Sequence, residues 1–577
     1  MKKLFPFFKG YRTESFLAPF FKLLEAIFEL LVPLVVAAII DVGLPAGDRG
    51  FVIRRVLLLA ALGIIGFVSA VTAQYFSAKA ATGFSAAVRK SVFFHTEALS
   101  FSSIDRLGIP TIINRMTADV EQLQTGVNLF LRLFMRSPFI VFGAMIMAFT
   151  LDAKAALIFL LVIVLLFIVV FAVMLISIPL YQKVQGRLDA LLQRTRENLT
   201  GARVLRAFCK EADETAAFEI ENQALTGMQT FVGRISALMN PLTLILVNLA
   251  VVLLIHTGAM KVDAGLMTQG TLVALYNYMA QILVELIKLA NLIITLTRAV
   301  ASARRVSQLL EIPSRITDGD DAVSEKTEED VITFTNVSFT YDRAGEPTLS
   351  DISFAVKPGE TIGVIGGTGS GKSTLMSLLA RFYAVTSGEI RLNGVEITCY
   401  AERELRRRIG FVLQKSVLFR GTLRDNMQWE KADATDEEIL DALAVAQGAD
   451  ILNAKPEGLD MPVEEGGRNF SGGQRQRLSI ARTLVKKPDI LILDDSSSAL
   501  DYVTEANLRR SLKNMSYRPT LFIVSQRASA VMHADRILLL EDGRLTAIGT
   551  HQELLQNSAA YREIYASQCR EEAVADA

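Results

Sequence analysis

The sequence predicts a multidomain fold: an all-α polytopic membrane domain of six transmembrane helices with long cytoplasmic arms, followed by an α/β phosphate-loop domain. Three observations carry that prediction. Hydrophobic residues make up 51% of the 577 residues, and the mean hydropathy is +0.35. That is too apolar for an ordinary soluble chain, and the length exceeds what one core holds. Apolar runs long enough to cross hydrocarbon fall in the first half, and a glycine-rich loop between a strand-like and a helix-like run falls in the second.

The spans are placed at about 17–42, 52–77, 136–152, 155–179, 235–258 and 269–297, each near or above the roughly 20 residues a crossing helix needs. The fourth, "AALIFLLVIVLLFIVVFAVMLISI", is the clearest. The third is the weakest and is expected to borrow length from the helix before it. The loops after spans 1, 3 and 5 are short: "GLPAGDRG", "DAK" and "TGAMKVDAGLMTQ". The segments after spans 2 and 4, about 78–135 and 180–234, are long, helix-like and basic, which places them in the cytoplasm. Few breakers interrupt them, so the membrane helices are expected to continue past the bilayer as arms. Each arm is expected to turn through a short transverse helix, near Leu107–Asn114 and near Arg203–Glu211.

The N-terminus, "MKKLFPFFKGYRTESF", is basic, and no short apolar core with a cleavage site follows it. It reads as an amphipathic lead-in with Lys2, Lys3, Lys9 and Arg12 at the headgroups, not as a secretory leader. Basic and acidic residues balance at 60 each, so global charge gives no sign of a nucleic-acid partner. The cysteines, Cys209, Cys399 and Cys569, have no metal-type or disulfide spacing and read as ordinary reduced residues.

The membrane domain is expected over residues 1–312 and an acidic linker over 313–330, "PSRITDGDDAVSEKTEED". The α/β domain is expected over 331–565, with "ETIGVIG", "RIGFVLQ", "DILILDD" and "TLFIVS" as strands, and a frayed tail over 566–577.

"GGTGSGKST", Gly366–Thr374, fits G-x-x-x-x-G-K-[ST] in the context that motif requires. Gly366, Gly367, Thr368, Gly369, Ser370 and Gly371 let backbone N–H groups curl around phosphate oxygens at a helix N-terminus. Lys372 is expected on the β- and γ-phosphates, Ser373 on Mg²⁺, and Thr374 completes the motif. Asp494 ends an apolar strand and is expected beside the loop, supporting the Mg²⁺ site.

With those motifs in view, "NFSGGQRQRLSIARTLVKKPDILILDD" resembles the signature helix and Walker B strand of ABC transporters. The resemblance covers essentially the whole chain and is closest to exporter-type half-transporters, a membrane domain fused to one ATP-binding domain. "ALSFSSIDR", "RMTADVEQLQ" and "LTGARVLRAF" in the arms fit it too. It implies ATP and Mg²⁺ as cofactors, with Tyr341 stacking on adenine and Gln414 touching Mg²⁺ along with Ser373. It implies that "PVEEGG", Pro462–Gly467, meets the arms. It makes Phe470, Ser471, Gly472, Gly473 and Gln474 the signature, with Phe470 replacing the usual Leu, and it places Ser498 and Asp501 of "SALD" in an interface loop. The signature would reach ATP bound by an opposite domain, so two such domains must meet head to tail.

Two catalytic positions depart from the family pattern. Asp495 stands where the family has the Walker B glutamate, and Gln526 where it has the switch histidine. Asp495 is still anionic, but its carboxylate sits one C–C bond further back, and a misplacement of roughly 1 Å can cost about 10²-fold. Gln526 can donate a hydrogen bond to the γ-phosphate, but it cannot carry positive charge as His can. Both changes are expected to weaken hydrolysis, and neither to prevent ATP binding. The expectation is a heterodimeric exporter of apolar or amphipathic small molecules, of drug, lipid or peptide class. Its partner would be a half-transporter with the intact Glu and His, in the lipid of an inner, or plasma, membrane. The alternatives are a siderophore-type importer on the exporter fold, a homodimer using Asp495 as base, and a non-transporting ATP sensor. Glu25 and Glu29 share one face of span 1, and Glu285 and Lys288 one face of span 6. They read either as an acidic patch for cationic amphiphiles or as structural pairs such as Glu29 with Lys288.

Overall fold

The computed structural model describes residues 2–313, 329–342, 344–496 and 498–575. The expected linker lies almost wholly outside them. The chain forms two compact units, one of Met1–Glu97 with Pro110–Ile312, the other of Ala98–Ile109 with Pro313–Ala577.

The membrane unit is all helix. Helices α1 (Arg12–Ala38) and α2 (Arg49–Glu97) lie side by side. At 49 residues, α2 is about 73 Å long. It therefore continues far beyond a bilayer, as the lack of breakers implies. The turn of this first arm is α3 (Phe101–Leu107), capped by Ser100, whose hydroxyl accepts from the Ser103 amide, and ended by Gly108 at φ 77°. The expected position, Leu107–Asn114, is thus several residues too late. Gly108 stops this short helix, and Pro110, which suits a first helical turn, already starts the next helix, α4 (Ile109–Asn114).

The return continues through α5 (Val120–Leu129) and α6 (Arg136–Leu151), joined by two wide helical turns at Arg115–Asp119 and Phe130–Phe134. The weak third span does borrow its length, since one apolar helical stretch runs over Ile109–Leu151. Helix α7 (Ala153–Thr200) leads to a second short helix, α8 (Ala202–Ala207), close to the place expected for the second arm tip. Then α9 (Glu211–Ala237) and α10 (Met239–Asp263) climb back, and α11 (Gln269–Leu309) completes the unit. Among the described residues, six stretches are long and apolar enough to span a membrane. Tyr278 of α11 is fully buried, and its hydroxyl donates to the Leu30 carbonyl of α1 at 2.6 Å. Phe67, Leu161, Ile168, Leu175 and Leu249 stay exposed, as lipid-facing residues do.

The second unit is an α/β domain. Its strands are β1 (Ile332–Phe339), β2 (Leu349–Val356), β3 (Thr361–Ile365), β4 (Ser387–Leu392), β5 (Val395–Glu396) and β6 (Ile409–Val412). After these come β7 (Gly421–Thr422), β8 (Pro462–Val463), β9 (Ile490–Asp494), β10 (Thr520–Val524), β11 (Arg536–Glu541) and β12 (Arg544–Gly549). One sheet has the order β2-β1-β4-β5, and a larger one the order β12-β11-β3-β10-β9-β6. The four runs read as strands from sequence are β3, β6, β9 and β10, adjacent and parallel in the larger sheet. They are buried almost throughout, as strands covered on both faces must be. Parallel strands bind ligands beyond their C-terminal ends, where β3 and β9 deliver the phosphate loop and Asp494. The last helix runs over Ala559–Ala575 and so carries regular structure through most of the expected tail.

Candidate nucleotide site

The phosphate loop leaves β3 and enters α12 (Lys372–Leu379). Gly369 and Gly371 sit at φ 84° and 92°, where a side chain would strain the backbone, and a Cβ on Gly366 would strike the Leu540 carbonyl. Lys372 is buried, and its ammonium donates to the carbonyls of Gly366 and Gly367 at 2.9 and 2.6 Å. Burial holds its pKa below the usual lysine value, against the opposing pull of Asp495 and Asp494. The Ser373 hydroxyl donates to Asp494 at 2.8 Å. Asp494 is 5% exposed, and burial, with Asp495 next to it, pushes its carboxyl up while the Ser373 bond opposes the shift.

Asp495 leaves the strand at φ 45°, a left-handed conformation that Asp tolerates better than most residues. Its carboxylate accepts from the Gln414 amide at 3.2 Å. Gln526 takes a hydrogen bond from the Thr368 hydroxyl at 3.3 Å. Thr368, Gly369, Gly371, Lys372, Ser373, Thr374, Gln414, Asp494, Asp495 and Gln526 therefore line one cleft of about 300 Å³. Its hydroxyl, amide and carboxylate oxygens suit a hard cation such as Mg²⁺. The Tyr341 hydroxyl lies 3.1 Å from that of Thr374.

The signature lies outside this cleft. Ser471 caps the helix Gly472–Leu484 in a reciprocal box: its hydroxyl accepts from the Gln474 amide, and the Gln474 side chain accepts from the Ser471 N–H. Phe470 is buried, with Lys455 5.3 Å from its ring centre. A Cβ on Gly473 would come within 2.9 Å of the Ala499 carbonyl, so the signature helix and the "SALD" loop touch. The Ser498 hydroxyl donates to the Asp495 carbonyl at 2.8 Å. Asp501 caps the next helix, Tyr502–Lys513, and the Thr504 backbone and hydroxyl hold its pKa down.

Three residues that the sequence reading missed bear on these sites. Tyr383 meets Tyr341 edge-on at 5.2 Å and donates its hydroxyl to Asp105 of α3 at 2.6 Å. Burial and the Asp105 carboxylate together push that hydroxyl's pKa up. Gln568 contacts the loop that carries Gln526. Arg136 sits at the centre of the intramembrane charges. It is bonded to Glu285 at 2.5 Å and Glu29 at 2.6 Å, with Glu25 at 3.7 Å. Ser137 donates to Glu285 at 2.7 Å, Lys288 pairs with Glu285 at 2.9 Å, and Lys22 with Glu25 at 2.5 Å. The expected Glu29–Lys288 pair is therefore corrected: Arg136 reaches Glu29, and Lys288 stays on its own helix with Glu285. Three carboxylates are matched by three cations, so the cluster is charge-balanced, not an open acidic patch.

A family model for the ABC transporter transmembrane region matches residues 15–286, and a model described as ABC transporter matches 349–498. An uncharacterized ABC transporter ATP-binding protein of Bacillus subtilis, YfiB, is 35% identical, with 98% of each chain covered. The chain belongs to the ABC transporter family. A putative multidrug export ATP-binding/permease protein of Bacillus subtilis, YgaD, is 33% identical over 98% of this transporter and 99% of its own length. Among solved structures, a bacterial Atm1-family ABC exporter with ATP bound superposes with a TM-score of 0.82 at 25% identity, covering 96% of this chain and 98% of that one. This transporter thus has the exporter fold, six spans in the inner membrane, and an ATP-hydrolysing domain on the cytoplasmic side.

Proposed function

We propose that this ABC transporter is one subunit of a heterodimeric exporter of apolar or amphipathic small molecules. Its own Walker motifs retain ATP and turn it over slowly, while its signature completes the fast site of a partner that has the catalytic Glu and His. The observation that carries this reading is Asp495 beside an otherwise complete phosphate site. Lys372, Ser373, Gln414 and Asp494 converge as ATP binding requires, yet the base position is one methylene short and Gln526 replaces a histidine. Ser471 caps a well-formed helix, which supports the reading that this chain's signature serves a partner. The export assignment is supported by relatives such as YgaD, whose name describes putative multidrug export.

ATP turnover tests the proposal. The chain alone should hydrolyse little, and the co-purified pair much more. Changing the partner's Walker B glutamate to glutamine should abolish that activity. Robust activity of the chain alone, lost in Asp495→Asn, would refute it. That result would favour a homodimer in which Asp495 is the base, a reading supported by the 3.2 Å bond that aligns Asp495 with Gln414.

A further inference from the structure

The last helix, Ala559–Ala575, is fixed at its start by Tyr561. That side chain is fully buried in a cluster with Ile365, Ala528 and Val531. Ile365 ends the strand that feeds the phosphate loop, and Ala528–Val531 is the short helix just after Gln526. The Tyr561 hydroxyl also lies 2.7 Å from His551 Nδ1, which secures this end of the helix. Two turns later, Gln568 reaches back to the loop. Its Oε1 accepts from the Ala528 N–H at 2.7 Å, and its Nε2 donates to the Gln526 carbonyl at 2.8 Å.

One side-chain amide thus brackets the backbone on both sides of Arg527. The short helix has no side-chain cap of its own, and Gln568 satisfies its first N–H from a distant part of the chain. From the sheet side, the Ser525 N–H donates to the Val364 carbonyl at 3.0 Å, and the Arg527 N–H to the Ser525 hydroxyl at 3.0 Å. Between these two anchors, Gln526 presents its amide to Thr368 of the phosphate loop.

We propose that Gln568 is a positioning residue for ATP retention. Its amide holds the Ser525–Ala528 loop so that Gln526 stays against the phosphate loop, and so sets how long nucleotide remains at this chain's own site. The inference rests on reading Gln526 as a contact of the terminal phosphate. Two neutral, partly exposed hydrogen bonds bias a local opening by about fivefold to tenfold.

The test uses the full-length dimer loaded with Mg²⁺–ATP, following release of bound ATP after rapid dilution, alongside kcat, KM and the unfolding midpoint. Gln568→Leu removes both bonds. Gln568→Glu keeps the acceptor for Ala528 but sets an oxygen against the Gln526 carbonyl. Both are expected to speed the slow phase of release about fivefold at an unchanged unfolding midpoint. The double variant Gln526→Ala/Gln568→Leu is expected to release no faster than Gln526→Ala alone. If Gln526→Ala speeds release while both Gln568 variants match the parent, the clamp is overturned and the phosphate reading stands. An additive double variant overturns it too, because Gln568 would then act on stability and not through Gln526. If Gln526→Ala releases ATP at the parent rate, the phosphate reading fails, and this inference with it.

Discussion

Replacing Arg136 by Leu removes the cation that joins α1 to α11. Glu285, 2% exposed, would keep only the Ser137 hydroxyl and Lys288, whose side chain is 46% exposed and well screened. Deleting one partner of a buried ion pair costs about 3–5 kcal/mol, because the remaining charge stays desolvated. The Glu29 bond adds little to that figure, since its side chain is 40% exposed. At about 1.6 °C per kcal/mol for a unit of roughly 300 residues, the unfolding midpoint should fall by roughly 5–8 °C. The double variant Arg136→Leu/Glu285→Leu exchanges the pair for apolar contacts, which is often neutral or better, and should recover most of the loss. The assay is the fraction of full-length protein that stays monodisperse in detergent after heating, followed across temperature. A single variant as stable as the parent would refute the reasoning, as would a double variant no better than the single.

Asp495→Glu restores the missing methylene and should raise hydrolysis at this chain's own site by about 10–100-fold, measured with the partner's base disabled. Tyr383 joins the ring at the expected adenine position to the arm helix α3, so if that link couples ATP to transport, Tyr383→Phe, which keeps the ring but loses the bond to Asp105, should lower transport per ATP hydrolysed while ATP affinity holds; an unchanged ratio would refute the coupling. Asp494 has a folded-state pKa raised above its unfolded value, so nucleotide-free stability should fall as pH rises from about 4 through the raised value and then level off. Asp494→Asn should flatten that slope in a pH series of unfolding midpoints and should abolish Mg²⁺-dependent ATP binding. Because the cluster is balanced, Glu25→Gln and Glu29→Gln should not selectively reduce transport of cationic dyes over neutral ones, as flux assays in vesicles would register.

Much of the fold was legible because its signals are local. The glycine loop needs its own sequence, and buried parallel strands are unbroken apolar runs, so "TIGVI" and "ILILD" identify themselves. What escaped depends on distance along the chain. Arg136 opens an apolar run and looks like an ordinary helix-end cation; its carboxylates lie 107 and 149 residues away. Gln568 stands in a polar stretch that reads as tail, and the N–H it caps is 40 residues back. The first transverse helix was misplaced for the opposite reason. The apolar pattern runs on past Leu107, but Ser100 and Gly108, two small local signals, fix where that helix begins and ends.

The transverse helix Phe101–Leu107 folds as part of the ATPase unit although it is encoded between two membrane spans. Tyr383 follows its partner Asp105 by 278 residues. At about 5–20 residues per second, the ribosome delivers it some 14–56 s later. For that time four more spans insert while the arm tip waits in the cytosol without its docking surface, with Phe101 uncovered. A nascent chain stalled in this window would carry the helix with its Phe101 ring and Asp105 carboxylate still without the partners they have in the folded chain. Synthesis order thus becomes a vulnerability that the finished molecule, in which Phe101 packs on Phe382 and is still 41% exposed, only partly removes.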